Sequence, residues 1–284
     1  MGHGPRPTQA EILRTLFCVI ELTWFILLGT LSSREMFLLG THHPDWLEKT
    51  SAPLFISRRA LTEYRRLPKR SDGVWALDSG GFTEISMHGR WMTSAREYAA
   101  DVQRFSEQIG SMLWAAPQDW MCEPEMIRKT GLSVEEHQRR TVQSVLELRA
   151  LGANVIPVLQ GWRLGQYYDC WDMYEEAGIN LLEEKVVGLG SVCRRQSMMS
   201  ASHIVTHLSM DGLKLHGFGF KVTGLKACAS MLKSSDSLAW SLNARMNDPL
   251  PECVGKHKKC NNCMAYALQW REELLHTIER SKTS

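Results

Sequence analysis

Four side chains that commonly bind soft metal ions lie close together near the carboxyl end of the sequence. They are spaced as Cys253-x3-His257-x2-Cys260-x2-Cys263. Three thiolates and one imidazole complete the tetrahedral coordination of a structural zinc ion and leave no position open for water or a substrate. The spacing therefore predicts a structural zinc site at 253–263. Another histidine in place of His257 as the nitrogen ligand is the alternative.

Two aspartates border apolar runs, where a carboxylate is well placed for acid–base or nucleophilic chemistry. Asp78 begins the run Asp78-Ser79-Gly80-Gly81-Phe82, whose glycines let the backbone approach a ligand closely. Asp236 precedes the apolar run Leu238–Trp240. A double displacement at an anomeric carbon needs one carboxylate that attacks and one that moves protons. We predict Asp78 and Asp236 as this catalytic pair, with Asp78 as the proton carrier. Reversed roles, and simple turn or helix-cap roles, are the alternatives.

Further segments carry groups suited to holding a planar heterocycle. The carboxylate of Asp119 accepts two N–H bonds from a guanine-like edge, and the neighbouring Trp120 offers a ring for stacking. Gln160 presents a donor and an acceptor, and Gly161 after it removes bulk. The alternative for Asp119 is a carboxylate that only caps a loop. The predicted substrate-binding residues are Ser79, Gly80, Asp119, Gln160, Gly161 and Gly190.

The elements that must position these residues follow from the alternation of short apolar runs with amphipathic segments. Helices are predicted at 94–109 and 164–177, and Ser133 with Glu136 predicts a capping box at the start of another helix. Eight strands are predicted, at Met36–Leu39, Leu54–Ile56, Val74–Leu77, Met112–Ala115, Val155–Leu159, Val186–Leu189, Leu215–Phe218 and Leu238–Trp240.

Eight alternations of strand and helix predict an α/β fold, a (β/α)8 TIM barrel with a C-terminal structural zinc-binding loop. The carboxyl ends of the strands in such a barrel open on one face, so polar residues that follow different strands converge there. A doubly wound open sheet is the alternative. Residues 36–284 are assigned to the barrel domain, and residues 1–35 to an N-terminal extension of uncertain status.

Composition narrows the class of protein. Hydrophobic content of 44% and charged content of 23% are ordinary for a globular chain and exclude extensive disorder. The net charge is only +2, so a nucleic-acid partner must be sought in local basic clusters. The eight cysteines form no disulfide framework, which favours a reducing, cytoplasmic compartment. The basic clusters are Arg58-Arg59, Arg65-Arg66, Lys69-Arg70, Arg194-Arg195 and Lys256–Lys259.

The apolar segment 15–31 resembles a signal or anchor segment in composition. Glu21 interrupts it, and it is shorter than the roughly 20 residues that a membrane span needs, so a membrane partner is not expected. A membrane segment, an extension packed on the domain and a stretch upstream of the true start remain the three alternatives.

Several of these motifs resemble those of the tRNA-guanine transglycosylases. The resemblance is carried by the run from Asp78 to Phe82, by Asp119 with Cys122-Glu123-Pro124, by Gln160-Gly161 and Gly188-Leu189-Gly190, and by the zinc site. A closer similarity is to the phage and bacterial deazapurine DNA-modification (DpdA) transglycosylases, and it covers about residues 36 to 265. It is carried by the stretches 39–44, 75–84, 119–124 and 236–241.

The resemblance implies a TIM barrel with structural zinc that exchanges guanine in DNA for a free 7-deazaguanine through a covalent aspartyl intermediate. It implies action in the cytoplasm of a bacterial or phage-infected cell, without a redox cofactor. The position of His257 inside the zinc loop and the single aspartate at the last strand depart from the tRNA enzymes. The same chemistry on tRNA, or a non-catalytic zinc-containing nucleic-acid binder, are the alternatives. The inserted base and the oligomeric state are left open.

Overall fold

A computed structural model describes residues 37–193, 199–220 and 222–282. The strands are β1 Phe37–Thr41, β2 Leu54–Ser57, β3 Trp75–Asp78, β4 Met112–Ala115, β5 Val158–Leu159, β6 Val187–Leu189, β7 Leu215–Gly217 and β8 Ser234–Ser237. The α-helices are α1 Arg58–Glu63, α2 Gly81–His88, α3 Ala95–Ile109, α4 Pro124–Thr130, α5 Val134–Ala150, α6 Leu164–Glu176, α7 Met199–Met210, α8 Val222–Cys228, α9 Ala239–Met246 and α10 Met264–Lys282. Short 3₁₀ helices occupy Pro44–Glu48 and Pro251–Cys253.

The strands form one parallel sheet in the order β4-β3-β2-β1-β8-β7-β6-β5. The first strand pairs with the last, with Leu38 opposite Asp236, and this order differs from that of a doubly wound sheet. The two outer strands also approach each other, because Ala115 at the end of β4 forms an isolated parallel bridge with Val155, just before β5. The chain therefore has an α/β fold built on a curled, eight-stranded parallel sheet.

The two faces of the sheet bury different clusters because successive strand side chains point in opposite directions. Leu39, Ile56 and Leu77 belong to the large cluster that also contains the buried residues of the helices. Leu38 and Phe55 belong to a smaller cluster on the other face. The rest of that smaller cluster consists of Ala76, Trp114, Ile156, Val158 and Val186, with Phe218 packed against it.

The predicted helices at 94–109 and 164–177 correspond to α3 and α6. Helix α3 begins with a full capping box between Ser94 and Glu97. Ser133 caps α5 by accepting the N–H of Glu136 at 3.1 Å. The carboxylate of Glu136 instead binds Arg139 and Arg140, so the predicted capping box is only half formed.

The prediction of the eighth strand is wrong. Leu238–Trp240 was expected to be a strand, but the strand is Ser234–Ser237 and the apolar residues after it begin helix α9. Strand β8 carries no apolar side chain: Asp236 lines the cavity, and the hydroxyl of Ser234 contacts His216. The apolar residues that suggested a strand belong to the start of the helix. Trp240 packs that helix onto β1, where its indole N–H donates to the carbonyl of Gly40 at 2.7 Å. Asp236 is therefore inside the last strand.

Within the described part of the chain, no helix is both long enough and apolar enough to span a membrane. The apolar segment 15–31 and Met36, the predicted start of the first strand, lie outside the described residues.

Candidate functional site

One cavity of about 260 Å³ lies among residues at or just after the carboxyl ends of the strands. It is smaller than the roughly 300–1,000 Å³ typical of pockets for drug-sized ligands, so it suits a ligand the size of a single base. Six residues predicted from the sequence line the cavity: Asp78, Ser79, Asp119, Gln160, Gly190 and Asp236. Its other lining residues are Gly40, Thr41, His42, Phe55, Ser57, Gly81, Phe82, Ala116, Met121, Glu123, Ser191, Cys193, Phe218, Gly219 and Leu238.

Asp78 is the last residue of β3 and is half-buried. Burial raises the pKa of its carboxyl to about 6 because the charged form loses water. The negative charge of Asp236 raises this pKa further, whereas hydrogen bonds from the N–H of Gly80 and the hydroxyl of Ser57 lower it. A carboxyl with a pKa near 6 exchanges protons readily near neutral pH, which suits a proton carrier.

The turn after Asp78 depends on two glycines. Gly80 has φ +77°, in the left-handed region that glycine adopts without strain, and helix α2 begins at the next residue. A side chain at Gly81 would lie 2.7 Å from the ring of Trp91. The indole N–H of Trp91 in turn donates to the backbone carbonyl of Asp119 at 3.2 Å. The turn that carries Asp78 is therefore packed against the loop that carries Asp119.

Asp236 is the most enclosed of the three aspartates named from the sequence, with 6% of its surface exposed. Its Oδ1 accepts the backbone N–H of Gly219 at 2.9 Å. The Nε2 of His216 lies 3.3 Å from the same oxygen. Both contacts are made to Oδ1, so they fix the position of the Asp236 side chain in the cavity wall.

Asp119 and Gln160 are in direct contact. The Nε2 of Gln160 donates to Oδ2 of Asp119 at 2.6 Å. The hydroxyl of Ser191 lies 2.7 Å from Oε1 of Gln160 and 2.9 Å from Oε2 of Glu123. Four polar side chains thus form one connected array on the wall of the cavity.

Burial raises the pKa of Asp119 to about 7, and the charge of Asp78 contributes to this increase. The hydrogen bond from Gln160 opposes the shift, because it stabilises the charged form of the carboxylate. Asp119 therefore changes protonation near neutral pH, and a ligand that donates two N–H groups to its carboxylate would favour the charged form.

Only glycine fits at position 190, because the amide of Gln160 occupies the space that a side chain there would need. A side chain at Gly190 would place its Cβ 2.2 Å from Nε2 and 2.6 Å from Cδ of Gln160. Gln160 has no exposed surface and is bonded at both ends of its amide, so it has little room to move aside. The glycine at this strand end thereby lets the amide reach Asp119.

Two other predicted residues, Gly80 and Gly161, do not line the cavity. Gly80 instead provides the left-handed backbone conformation of the turn after Asp78. Gly161 packs against the start of α6, where a Cβ would lie 3.1 Å from the backbone nitrogen of Tyr167. Ser79 lines the cavity and is buried, and its hydroxyl accepts the N–H of Gly81 at 3.3 Å.

The residues that sequence reasoning missed are His216, Ser57 and, as side chains, Glu123 and Ser191. His216 lies in the apolar segment Leu215–Phe218 and was passed over as part of a strand. The signal available in the sequence was a histidine within an otherwise apolar strand segment, because a buried polar side chain needs a hydrogen-bond partner. A histidine at an inward strand position has to be hydrogen-bonded, and the nearest carboxylate belongs to the neighbouring strand.

The four predicted metal ligands come together. The donor atoms of Cys253, His257, Cys260 and Cys263 all lie within 4.8 Å of one another. The sulfur atoms of Cys253 and Cys263 are 3.8 Å apart, and Nε2 of His257 is 3.1 Å from the sulfur of Cys260. Tetrahedral coordination with zinc–sulfur bonds of about 2.3 Å places sulfur atoms about 3.8 Å apart. The cluster could therefore hold one metal ion.

The metal cluster joins the last two helices. Cys253 and Cys260 pack against Ala244 of α9. The hydroxyl of Ser241 donates to the carbonyl of Asn261 at 2.8 Å, and α10 begins directly after Cys263. The cluster thus holds together the helix that follows β8 and the helix after it.

Two of the predicted basic clusters contain residues that form ion pairs. In the first, Arg58 binds Asp101 at 2.7 Å and Arg59 binds Glu63 at 2.7 Å. In the second, Lys259 lies 3.8 Å from the carboxylate of Asp248 and donates to the carbonyl of Asn247. The pair Arg194-Arg195 lies outside the described residues.

These features define the class of protein: an α/β protein with a small, acidic, base-sized cavity at its strand ends and a Cys3His cluster. A family model described as DpdA, DeoxyPurine in DNA protein A, matches residues 33–283. The chain therefore belongs to the DpdA family, and the family links it to deazapurine modification of DNA. No curated protein matches the sequence.

We expect the substitution Asp119→Asn to stabilise the protein in a pH-dependent way. The pKa of Asp119 is about 7 in the folded state, against 3.8 as its ordinary value. The folded state therefore favours the protonated carboxyl, and this contribution is lost as the pH rises from about 4 through about 7. The variant should gain more free energy of unfolding at pH 8 than at pH 4.5, measured by urea denaturation. The exposed Asp172→Asn on α6 is the control, and an equal gain at both pH values for Asp119→Asn would contradict the expectation.

We expect Gly190→Ala to destabilise the protein by about 1–3 kcal/mol, since the added methyl group would displace the amide of Gln160 from its buried hydrogen bonds. The matched control is Gly165→Ala on α6, where no atom lies within 4 Å of the added Cβ. That control should stabilise the protein by about 0.4–1 kcal/mol, because alanine restricts the unfolded chain. Urea denaturation measures both variants, and a Gly190→Ala protein as stable as the wild type would refute the role given to Gly190.

Proposed function

We propose that the protein is a base-exchange transglycosylase that replaces guanine in DNA with a 7-deazaguanine derivative through a covalent aspartyl intermediate. The observation that carries the proposal is that two carboxyl groups of one cavity, those of Asp78 and Asp236, have different surroundings. Asp236 is positioned by two hydrogen bonds to one of its oxygens, whereas burial raises the pKa of Asp78 to about 6. Membership of the DpdA family supports DNA as the polymer that is modified.

We also propose that residues 36–284 form a single transglycosylase domain whose sheet closes into a (β/α)8 barrel, with residues 1–35 assigned to an N-terminal extension. The pairing of β1 with β8 and the bridge between Ala115 and Val155 support closure. In this arrangement the cavity is the mouth of the barrel, where the polar strand ends meet.

The first half of the reaction removes guanine. A deoxyguanosine flips out of the duplex into the cavity, because its C1′ atom cannot be reached within the base stack. A carboxylate oxygen of Asp236 attacks C1′, and the bond between C1′ and N9 of guanine breaks. The protonated carboxyl of Asp78 gives its proton to the departing base, which leaves as neutral guanine. The product is an ester between Asp236 and the deoxyribose.

The second half of the reaction installs the new base. A free 7-deazaguanine occupies the place of guanine, and the carboxylate of Asp78 removes its N9 proton. N9 then attacks C1′, the ester bond breaks, and Asp236 is released as a carboxylate. Asp78 ends the cycle protonated, as it began. The exchange is balanced without a redox cofactor or a nucleoside triphosphate.

Both bases are recognised by the polar array on the cavity wall. The ionised carboxylate of Asp119 accepts the N1–H and the exocyclic N–H of guanine or 7-deazaguanine, since both share this edge. Gln160 holds Asp119 in place and adds its own amide to the wall, and Gly190 provides the space for it. These contacts do not involve position 7 of the base, so they serve the outgoing and the incoming base alike.

Two alternatives follow from the same sequence motifs. Exchange on tRNA would use the same cavity and differ only in surface contacts. A non-catalytic barrel that binds nucleic acid is opposed by the carboxylates of Asp78, Asp119 and Asp236, because a purely phosphate-binding face would not concentrate negative charge.

The Cys3His cluster is proposed to bind a structural zinc ion. Its three cysteines and His257 would hold the metal, which supplies no chemistry at the cavity and instead crosslinks the end of α9 to the start of α10. The sulfur–sulfur distance of 3.8 Å between Cys253 and Cys263 supports zinc.

We expect Asp78→Asn and Asp236→Asn each to abolish incorporation of labelled guanine into duplex DNA, with losses of about a thousandfold or more. Asp119→Asn should raise the KM for the free base by about 10- to 100-fold, because a hydrogen bond to a charged group is lost. Asp172→Asn is the matched control and should retain wild-type rates.

Parallel reactions with duplex DNA and tRNA, followed by nucleoside analysis with 7-deazaguanine as the incoming base, separate the alternatives. Labelling of tRNA alone would support the tRNA enzyme. Binding of DNA without exchange of any base would support the non-catalytic barrel. Wild-type exchange in both Asp78→Asn and Asp236→Asn would refute the mechanism.

We expect the purified protein to contain one zinc ion per chain, measured by elemental analysis. Cys260→Ser should lose the zinc and lower the Tm by roughly 10 °C or more, because the binding energy of structural zinc contributes to folding. Lys258→Ala, in the same loop, should retain both the zinc and the Tm. Zinc-free wild-type protein with the same Tm as the zinc-loaded form would contradict a structural role.

A further inference from the structure

His216 is a buried polar residue next to the proposed nucleophile. It lies in the middle of β7 with no exposed surface, and it does not line the cavity. One ring nitrogen, Nε2, is 3.3 Å from Oδ1 of Asp236, and the other, Nδ1, is 2.8 Å from the hydroxyl oxygen of Ser234. The three side chains form the chain Ser234–His216–Asp236 across two neighbouring strands.

The hydrogen-bonding chemistry determines which nitrogen of His216 carries the proton. An ionised carboxylate only accepts hydrogen bonds, so Nε2 must donate to Asp236. In a neutral ring, Nδ1 is then an acceptor, and the hydroxyl of Ser234 donates to it. Ser234 thereby selects the tautomer of His216 that can hold the carboxylate.

Aromatic rings hold the imidazole in one orientation. The centroids of the rings of Trp114 and Phe218 each lie 4.7 Å from that of His216, and both contacts are edge-on. The ring of Phe55 is 5.8 Å away. An apolar side chain would fit these surroundings at a lower desolvation cost than an imidazole. The position of His216 is therefore explained by its hydrogen bonds and not by packing.

In the described part of the chain, the two hydrogen bonds to the Asp236 carboxylate end on the same oxygen. Oδ1 accepts from His216 and from the backbone N–H of Gly219. A carboxylate tethered through one oxygen has its other oxygen available for bond formation. We propose that His216 is a positioning residue that holds Asp236 so that Oδ2 attacks C1′. This inference rests on the proposed transglycosylase function.

The test compares variants of His216 that separate packing from hydrogen bonding. His216→Phe keeps an aromatic ring but loses the donor, whereas His216→Gln retains an amide N–H that can reach Asp236. For His216→Phe we expect kcat for guanine exchange on duplex DNA to fall about 10- to 100-fold, with the KM for the free base within about twofold of the wild type. Formation of the covalent protein–DNA adduct, measured without free base, should slow by the same factor. His216→Gln should restore most of the loss.

Two further variants act as controls. His276→Phe makes the same substitution at an exposed histidine of α10 that does not line the cavity, and it should retain kcat within about threefold. His216→Asn has an amide too short to reach Asp236, so it should be as impaired as His216→Phe while keeping a polar side chain. The pair His216→Gln and His216→Asn keeps the test decisive if the phenylalanine variant does not fold.

A kcat for His216→Phe within twofold of the wild type would overturn the inference, and so would equal impairment of the glutamine and asparagine variants. In both cases the wild-type protein still exchanges bases, and the proposed function stands. A wild-type protein that exchanges no base on any nucleic acid overturns the proposed function and this inference together.

Discussion

The crowding of three carboxyl groups into one small cavity is the constraint on which the rest of the structure depends. Asp78, Asp119 and Asp236 all line a space of about 260 Å³. Like charges at short range and away from bulk water cannot all be ionised without a large cost. The three groups differ in their surroundings: burial raises the pKa of Asp78 to about 6 and that of Asp119 to about 7, whereas Asp236 receives two hydrogen bonds on one oxygen. The chemical role of each carboxyl follows from this difference in surroundings.

The position of Asp236 in the cavity depends on the pairing between the first and last strands of the sheet. Strand β8 carries Asp236 and pairs with β1 on one side and with β7 on the other. Gly40 on β1 permits the close approach, because a Cβ there would lie 2.9 Å from the carbonyl oxygen of Ser237. The indole of Trp240 on α9 donates to the carbonyl of Gly40 on β1. The Cys3His cluster packs against α9 and lies directly before α10. Helix α10 returns to the same junction, where Arg271 donates to the carbonyl of Phe37. The Cys3His cluster therefore contributes to the position of β8 indirectly, through the contacts of α9 and α10 with β1.

An element of this fold could be predicted from the sequence where its residues formed an apolar run or a metal-ligand spacing. Strands β1 to β7 are apolar and were placed to within a few residues, and Cys253 to Cys263 could be grouped from spacing alone. The sequence of strand β8 is Ser-Ser-Asp-Ser. A strand without apolar residues cannot be recognised from hydrophobic runs. The contact between Gln160 and Asp119 was not predictable either, since it depends on the register of separate strands and on the missing side chain at Gly190.

The polar strand also explains why its neighbours are so hydrophobic. Strand β8 contributes no apolar side chain to the core, and the proposed attack of Asp236 on carbon needs a partly desolvated carboxylate. The aromatic rings of Phe55, Trp114 and Phe218 provide that low-polarity surrounding from β2, β4 and the end of β7. A low-polarity surrounding strengthens each hydrogen bond within it, so the single contact from His216 to Asp236 has more effect there than it would in water. The same rings would make an unpaired carboxylate very costly, and the site therefore requires both the aromatic wall and the buried donors.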